Sequence, residues 1–213
     1  ASAIGAFVVP ALIYAQFFET KPKVFLKTKN KLTVRIVLFT IVIFFLANYV
    51  LFLLTEFNQL IPFENMESPL IKKLLEIEDL TESTFKRFLD FSSPLHFIAV
   101  FIMMAVLPAV GEELTFRGVF FNLFHRSSKN LVFAILFSGF IFALIHFQLN
   151  NFLAIFFMGG LLAYIYHLTE NIWVSIIAHL FNNGLIVVLS YLSTLGLIDY
   201  DFSKADDKPL IVS

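Results

Sequence analysis

Two carboxylates, two imidazoles, a guanidinium and an amide stand out in the second half of this 213-residue chain, because each interrupts or borders an apolar run. Glu112 and Glu113 are adjacent, and Arg117 follows four residues after Glu113. His146 and His179 stand in separate apolar stretches, with Asn183 four residues beyond His179. Four residues make about one helical turn, so Glu113 and Arg117 share a face, as do His179 and Asn183. A carboxylate or imidazole can take a proton from water, and an imidazole can return one to a leaving group. An amide or second imidazole can donate to an oxyanion. These are the parts of a hydrolytic site.

Each residue also has a plainer explanation. Glu113 and Arg117 suit a helix-stabilising ion pair. A His within a span can bond a neighbouring helix, and Asn182 or Asn183 can glue helices together. His96, His125 and His167 fall at span ends, where imidazole is comfortable, and Glu56 and Glu170 are interfacial; no reaction is expected of these five. What raises the other group is its setting, because an ionisable side chain at membrane depth is costly and usually faces a polar cavity where it has a task.

The elements that must position them are membrane helices. Hydrophobic residues make up 59% of the chain and charged residues only 15%, with 29 Phe and a mean hydropathy of +0.85. A water-soluble domain of this size could not hide so much apolar surface, and disorder requires the opposite composition. The net charge of −1 offers no basic field for nucleic acid, and the lack of Cys removes disulfides, thiolate nucleophiles and Cys-ligated zinc. About 20 apolar residues span a bilayer as a helix, and such runs occur at 3–18, 33–55, 95–111, 131–149, 152–168 and 172–196. The fold expected is therefore an all-α polytopic bundle of about six spans. The chain opens at Ala1 with no initiator Met, so loss of an N-terminal tag or of part of a longer helix is expected.

Lys21, Lys23, Lys27, Lys29 and Lys31 crowd the first loop, and Arg126 and Lys129 mark the third. By the positive-inside rule both loops are cytoplasmic, with the acidic 58–93 segment and tail outside. Within 68–91, Ser68-Pro69 starts a helix whose apolar residues recur at helical spacing. Such an amphipathic helix either lies on the membrane surface or packs on the spans. Three regions follow: 1–93, N-terminal spans and extracytoplasmic segment; 94–196, a four-helix core carrying the candidate catalytic residues; and 197–213, an acidic tail.

Three motifs also carry a family resemblance. Glu112-Glu113-Leu114-Thr115-Phe116-Arg117, Phe142-Ala143-Leu144-Ile145-His146 and His179-Leu180-Phe181-Asn182-Asn183 resemble, in order, the E-E-x-x-x-R, F-x-x-x-H and H-x-x-x-N motifs of the CAAX prenyl protease type II and bacteriocin-processing (CPBP, Abi) family of intramembrane proteases. The likeness covers roughly 94–196, including the connecting stretch from Gly159 to Trp173. It implies a membrane-embedded endopeptidase in which Glu112 activates a water with help from His146. His179 and Asn183 steady the oxyanion or position the water, and Glu113 and Arg117 support them. The substrate implied is a membrane-associated peptide or protein, prenylated C-termini being the known class in eukaryotes. The implied location is a multi-pass protein, in the bacterial cytoplasmic (inner) membrane. Glu170 departs from the pattern where the family often has Gly, and the chain is shorter than the eight-span eukaryotic type. Two other functions stay open: a non-catalytic scaffold or partner subunit keeping the family core, and a proton or ion pathway.

No bound metal is expected to be required. Glu112, His146 and His179 would be the ligands if a divalent ion such as zinc were used, but metalloprotease sites commonly place two His one turn apart in H-E-x-x-H, which is absent here. Geometry sets a harder question. Measured from helix midpoints, His146 sits roughly 9 Å to the outer side and His179 roughly 7 Å to the inner side. Helices perpendicular to the bilayer would hold them apart, so tilting, or a kink at Pro108, is needed for convergence.

Overall fold

The computed structural model describes residues 31–199 together with Ile13, Tyr14 and Gln16. The rest of the first apolar run, and the tail beyond 199, lie outside the described residues. The described chain is all-α. Its helices are α1 Val34–Gln59, α2 Pro69–Phe88, α3 Pro94–Ser128, α4 Leu131–Leu144, α5 Phe152–Thr169 and α6 Ile172–Thr194. Among the described residues α1, α3, α5 and α6 are long and apolar enough to cross a membrane. Local chemistry sets their starts: the side chains of Thr33, Ser93, Asn130 and Asn171 accept from backbone N–H groups in the first turns of α1, α3, α4 and α6, satisfying donors that a helix leaves open. Lys129 and Glu170 end α3 and α5 in the left-handed region, at φ 53° and 46°. Glycine adopts that conformation most easily, so Lys129 and Glu170 are strained helix ends.

Two elements differ from the apolar runs that announced them. The 95–111 run is the first half of one 35-residue helix that continues through the Glu pair to Ser128. The 131–149 run is helical only to Leu144. Its 14 residues rise about 21 Å, short of the roughly 30 Å of hydrocarbon. Residues 145–151 therefore form a turn at the end of a short helix, with Phe147 at φ 53°.

One core joins these helices. Phe44 and Leu51 of α1 pack with Phe116 of α3, Phe142 of α4, Met158 of α5 and Ala178 of α6. The opposite face of α1 exposes Phe45, Leu46 and Tyr49 by more than 60% each, as suits a lipid-facing surface. Helices α4 and α5 cross closely, so that a Cβ on Gly139 would lie 2.9 Å from both Gly160 N and Phe156 O. Neither backbone atom can swing away. Gly139→Ala should therefore force the helices apart and cost about 1–3 kcal/mol, read as a lowered melting temperature in detergent.

Helix α2 half-buries Ile71, Leu74, Leu75 and Phe85 on one face and exposes Leu70 and Leu80 on the other. In the middle of the buried face stands Glu78, 7% exposed. Its carboxylate accepts from the backbone N–H groups of Leu149 and Asn150 and from the Asn150 amide. Burial pushes this carboxyl from 4.5 up to about 7, against the opposing pull of the Asn150 and Leu149 N–H groups and with help from neighbouring Asp79 and Glu82. The folded chain thus keeps a proton that the unfolded chain releases near 4.5, so raising pH across 4.5–7 favours unfolding. Thermal melts should show stability declining over that window, and Glu78→Gln should flatten the decline.

Candidate active site

Glu112 and Glu113 lie in an α-helical stretch, Leu107–Thr115, between two widened π-helical segments, Ile102–Val106 and Phe116–Phe121. Such turns insert an extra residue per turn and release backbone carbonyls. Side chains from other helices meet them: Ser138 Oγ donates to Phe116 O at 3.5 Å, and Asn183 Nδ2 to Met104 O at 3.5 Å. The Met104 carbonyl is the one that Pro108, four residues on and without an N–H, cannot serve. Pro108 thus marks the place where α6 contacts α3.

Glu112 and His146 form the more accessible layer. His146 Nδ1 lies 2.6 Å from Phe142 O. A carbonyl only accepts, so Nδ1 carries the proton and donates. In the neutral ring this leaves Nε2 as a lone-pair acceptor, and Nε2 lies 3.8 Å from Glu112 Oε2. That separation exceeds a direct hydrogen bond. Glu112 is 7% exposed, and its buried Oε2 has no hydrogen-bond partner among the described residues. Two acceptors thus face each other in a mostly buried place.

Behind them lies a fully buried cluster. Glu113 Oε1 accepts from Arg117 Nη1 at 2.7 Å and from His179 Nδ1 at 2.9 Å, all three side chains being 0% exposed. Arg117 Nη2 donates to Gly159 O at 2.9 Å, and its guanidinium lies 4.7 Å above the Phe142 ring. Phe142 is the hub. Its ring centroid is 4.6 Å from that of His146 and 6.0 Å from that of His179, while its carbonyl orients His146. Asn182 Nδ2 donates to Asn183 Oδ1 at 3.2 Å, and both are buried.

The expected residues therefore come together, but in a pairing that spacing did not specify: Glu112 with His146, and Glu113 with His179. His96 bonds Ser92 near the start of α3, and His125 and His167 meet each other at 5.7 Å between centroids; neither set joins the cluster. Phe142 entered the sequence reading only as the first residue of the F-x-x-x-H motif, and Glu78 only as one acidic residue of the 58–93 segment. The signal for Glu78 was present: it occupies a position on the apolar stripe of Ile71, Leu74 and Phe85, where an aliphatic residue is expected. Both imidazoles have an acceptor on Nδ1, Phe142 O and Glu113 respectively, which is the support a metal-bound His also uses. Among the described residues, however, no three His, Asp or Glu side chains are grouped as a cation's ligands.

With this geometry in place, comparison with known proteins becomes informative. Residues 94–185 match the family described as Type II CAAX prenyl endopeptidase Rce1-like. That stretch of the membrane core is similar to the Rce1-like family. The matched stretch contains all six site residues, so the resemblance carried by the three motifs holds. The chain is also 37% identical over 94 residues to the "Putative membrane peptidase YdiL" of Bacillus subtilis (strain 168), covering 43% of this chain and 38% of that protein. The chain thus spans well under half the length of this relative. No solved structure matches it significantly. The family and the relative point to a protease, and the apolar helices to an integral membrane protein.

Proposed function

We propose that the Rce1-like core hydrolyses a peptide bond in or beside the membrane, using a water held between Glu112 and His146. The observation that carries this reading is the pair of acceptors 3.8 Å apart, Glu112 Oε2 and His146 Nε2. A water donating one O–H to each would turn a lone pair outward, toward a carbonyl carbon. Glu112 takes the proton as the water oxygen bonds to that carbon, then passes it to the leaving nitrogen as the C–N bond breaks. The products are a carboxylic acid and an amine. In its doubly protonated form, with Nδ1 donating to Glu113, His179 can also donate from Nε2, and with Asn183 it steadies the oxyanion. Glu113 and Arg117 hold that half of the site in place.

The chemistry needs no metal in this reading, because carboxylate and imidazole supply the base without one. Elemental analysis tests this: near-stoichiometric zinc, with activity lost to a chelator and restored by zinc, overturns it in favour of Glu112, His146 and His179 as ligands. The substrate class is a membrane-associated peptide or protein, and the location a bacterial cytoplasmic membrane, in keeping with the Bacillus relative. A library of membrane-inserted and prenylated peptides, incubated with the protein in liposomes and analysed by mass spectrometry, should yield wild-type cleavage products that Glu112→Ala does not form. No cleavage of any peptide by wild type would favour a scaffold instead.

A further inference from the structure

We propose that Glu78 of α2 and Asn58 of α1, both outside the Rce1-like stretch, are positioning residues that set His146 against Glu112 by clamping the loop that follows it. The inference rests on the hydrolytic reading of that pair. It begins from a physical requirement. Helix α4 stops at Leu144, short of the bilayer's thickness, so residues 145–151 leave backbone groups without helical partners. Irregular backbone near membrane depth is tolerated only where the protein satisfies it.

Three side chains from the N-terminal region meet this need. Glu78 Oε2 accepts from Leu149 N at 3.0 Å, and both its oxygens accept from Asn150 N at 3.2 Å. Asn58 closes the other side: its Nδ2 donates to Leu149 O at 2.7 Å, while its Oδ1 accepts from Leu153 N at 2.9 Å. Thr55 Oγ1 bonds Asn151 Oδ1 at 3.2 Å. Leu149 is thereby held at both its N–H and its C=O, one from each helix. Asn58 and Thr55 are 1% and 0% exposed, so these bonds do not compete with bulk water.

His146 lies three residues from the clamped Leu149, in a turn held by the last bonds of α4, His146 N to Ala143 O at 3.2 Å and Phe147 N to Leu144 O at 3.3 Å. The left-handed Phe147 at φ 53° is a strained step for a bulky residue. Such a step persists only when both flanks are fixed. The clamp fixes the far flank, and the Phe142 carbonyl holds the ring. Without the clamp, the turn can relax and carry His146 Nε2 away from Glu112, with no loss of any group that touches substrate.

The test combines kinetics with a readout that needs no substrate. Glu78→Ala and Asn58→Ala should each lower kcat roughly 10- to 100-fold, the penalty of misplacing a reacting group by about 1 Å. KM should stay within about twofold. Glu78→Gln keeps an acceptor for the Leu149 and Asn150 amides and should recover kcat to within about threefold of wild type. In protein labelled with 15N-histidine, the His146 ring signals, assigned with His146→Ala, should move in both alanine variants while those of His125 and His167 stay. Glu78→Asp, which draws the carboxylate back by one methylene, should move them by less and serves if the alanine variants fail to fold. Lowered melting temperatures with unchanged kcat and unmoved His146 signals would overturn the positioning role. Absence of hydrolysis by wild type would remove the hydrolytic reading instead, and the His146 signals would still decide whether the clamp exists.

Discussion

Glu112→Gln should reduce peptide hydrolysis by at least about a thousandfold while leaving the protein folded, since general-base and electrostatic contributions of this kind are each worth about 10²–10⁴. The amide keeps the shape of the carboxylate but cannot accept the water's proton. Stability should change little, because the buried Oε2 has no partner among the described residues to lose. A buried polar atom without a partner is costly in a native structure and calls for an explanation, and a catalytic task is one. His146→Ala should lose a comparable amount, because it removes the second acceptor 3.8 Å away. His179→Ala should abolish turnover as well. Asn183→Ala should leave residual activity, its amide being one donor among several. Turnover of a confirmed substrate, measured beside thermal melts, checks the set. Full turnover by Glu112→Gln would falsify the catalytic assignment.

The second large effect concerns folding. Arg117→Met should destabilise the protein by about 3–5 kcal/mol, as breaking one side of a buried ion pair does, and lower the melting temperature by about 10 °C. Arg117 is wholly buried, bonded to Glu113 on its own helix and to Gly159 O on α5. Its loss leaves the Glu113 carboxylate at 0% exposure with His179 as its one donor among the described residues, and removes a tie between α3 and α5. Adding Glu113→Gln should recover part of the loss, since the two residues form one unit and their effects are not additive. Melting of the single and double variants in detergent measures this. A melting temperature for Arg117→Met within about 2 °C of wild type would mean that the pair contributes nothing to holding the helices. Spacing alone suggested a helix-stabilising i, i+4 ion pair for these two residues. Burial makes the pair structural as well as supportive.

Much of the molecule was legible from residue types. Apolar run length announced α1, α5 and α6 to within a few residues, because hydrocarbon thickness and helical rise admit few alternatives. The same reasoning overran on α4, since apolar character continues past Leu144 while the helix does not. Composition records what tolerates lipid, but cannot say where a polar loop finds partners. Ser68-Pro69 marked the start of α2 correctly, because capping is local chemistry. Neither Glu78 nor Asn58 could be recognised as a clamp, since their partners lie 71 and 91 residues away.

The candidate site divides in the same way. The sequence by itself determined which groups are present, that they sit in apolar helices, and that Glu113 shares a face with Arg117 and His179 with Asn183. These are consequences of composition and of the 3.6-residue period, which act over a single turn. Only the tertiary structure decided that Glu112 faces His146 while Glu113 turns inward to His179 and Arg117. Adjacent residues on a helix point about 100° apart, and which direction meets which imidazole depends on helix packing, on the π-helical turns around Leu107–Thr115 and on the early end of α4. Those features arise from contacts between distant segments, which no local pattern encodes.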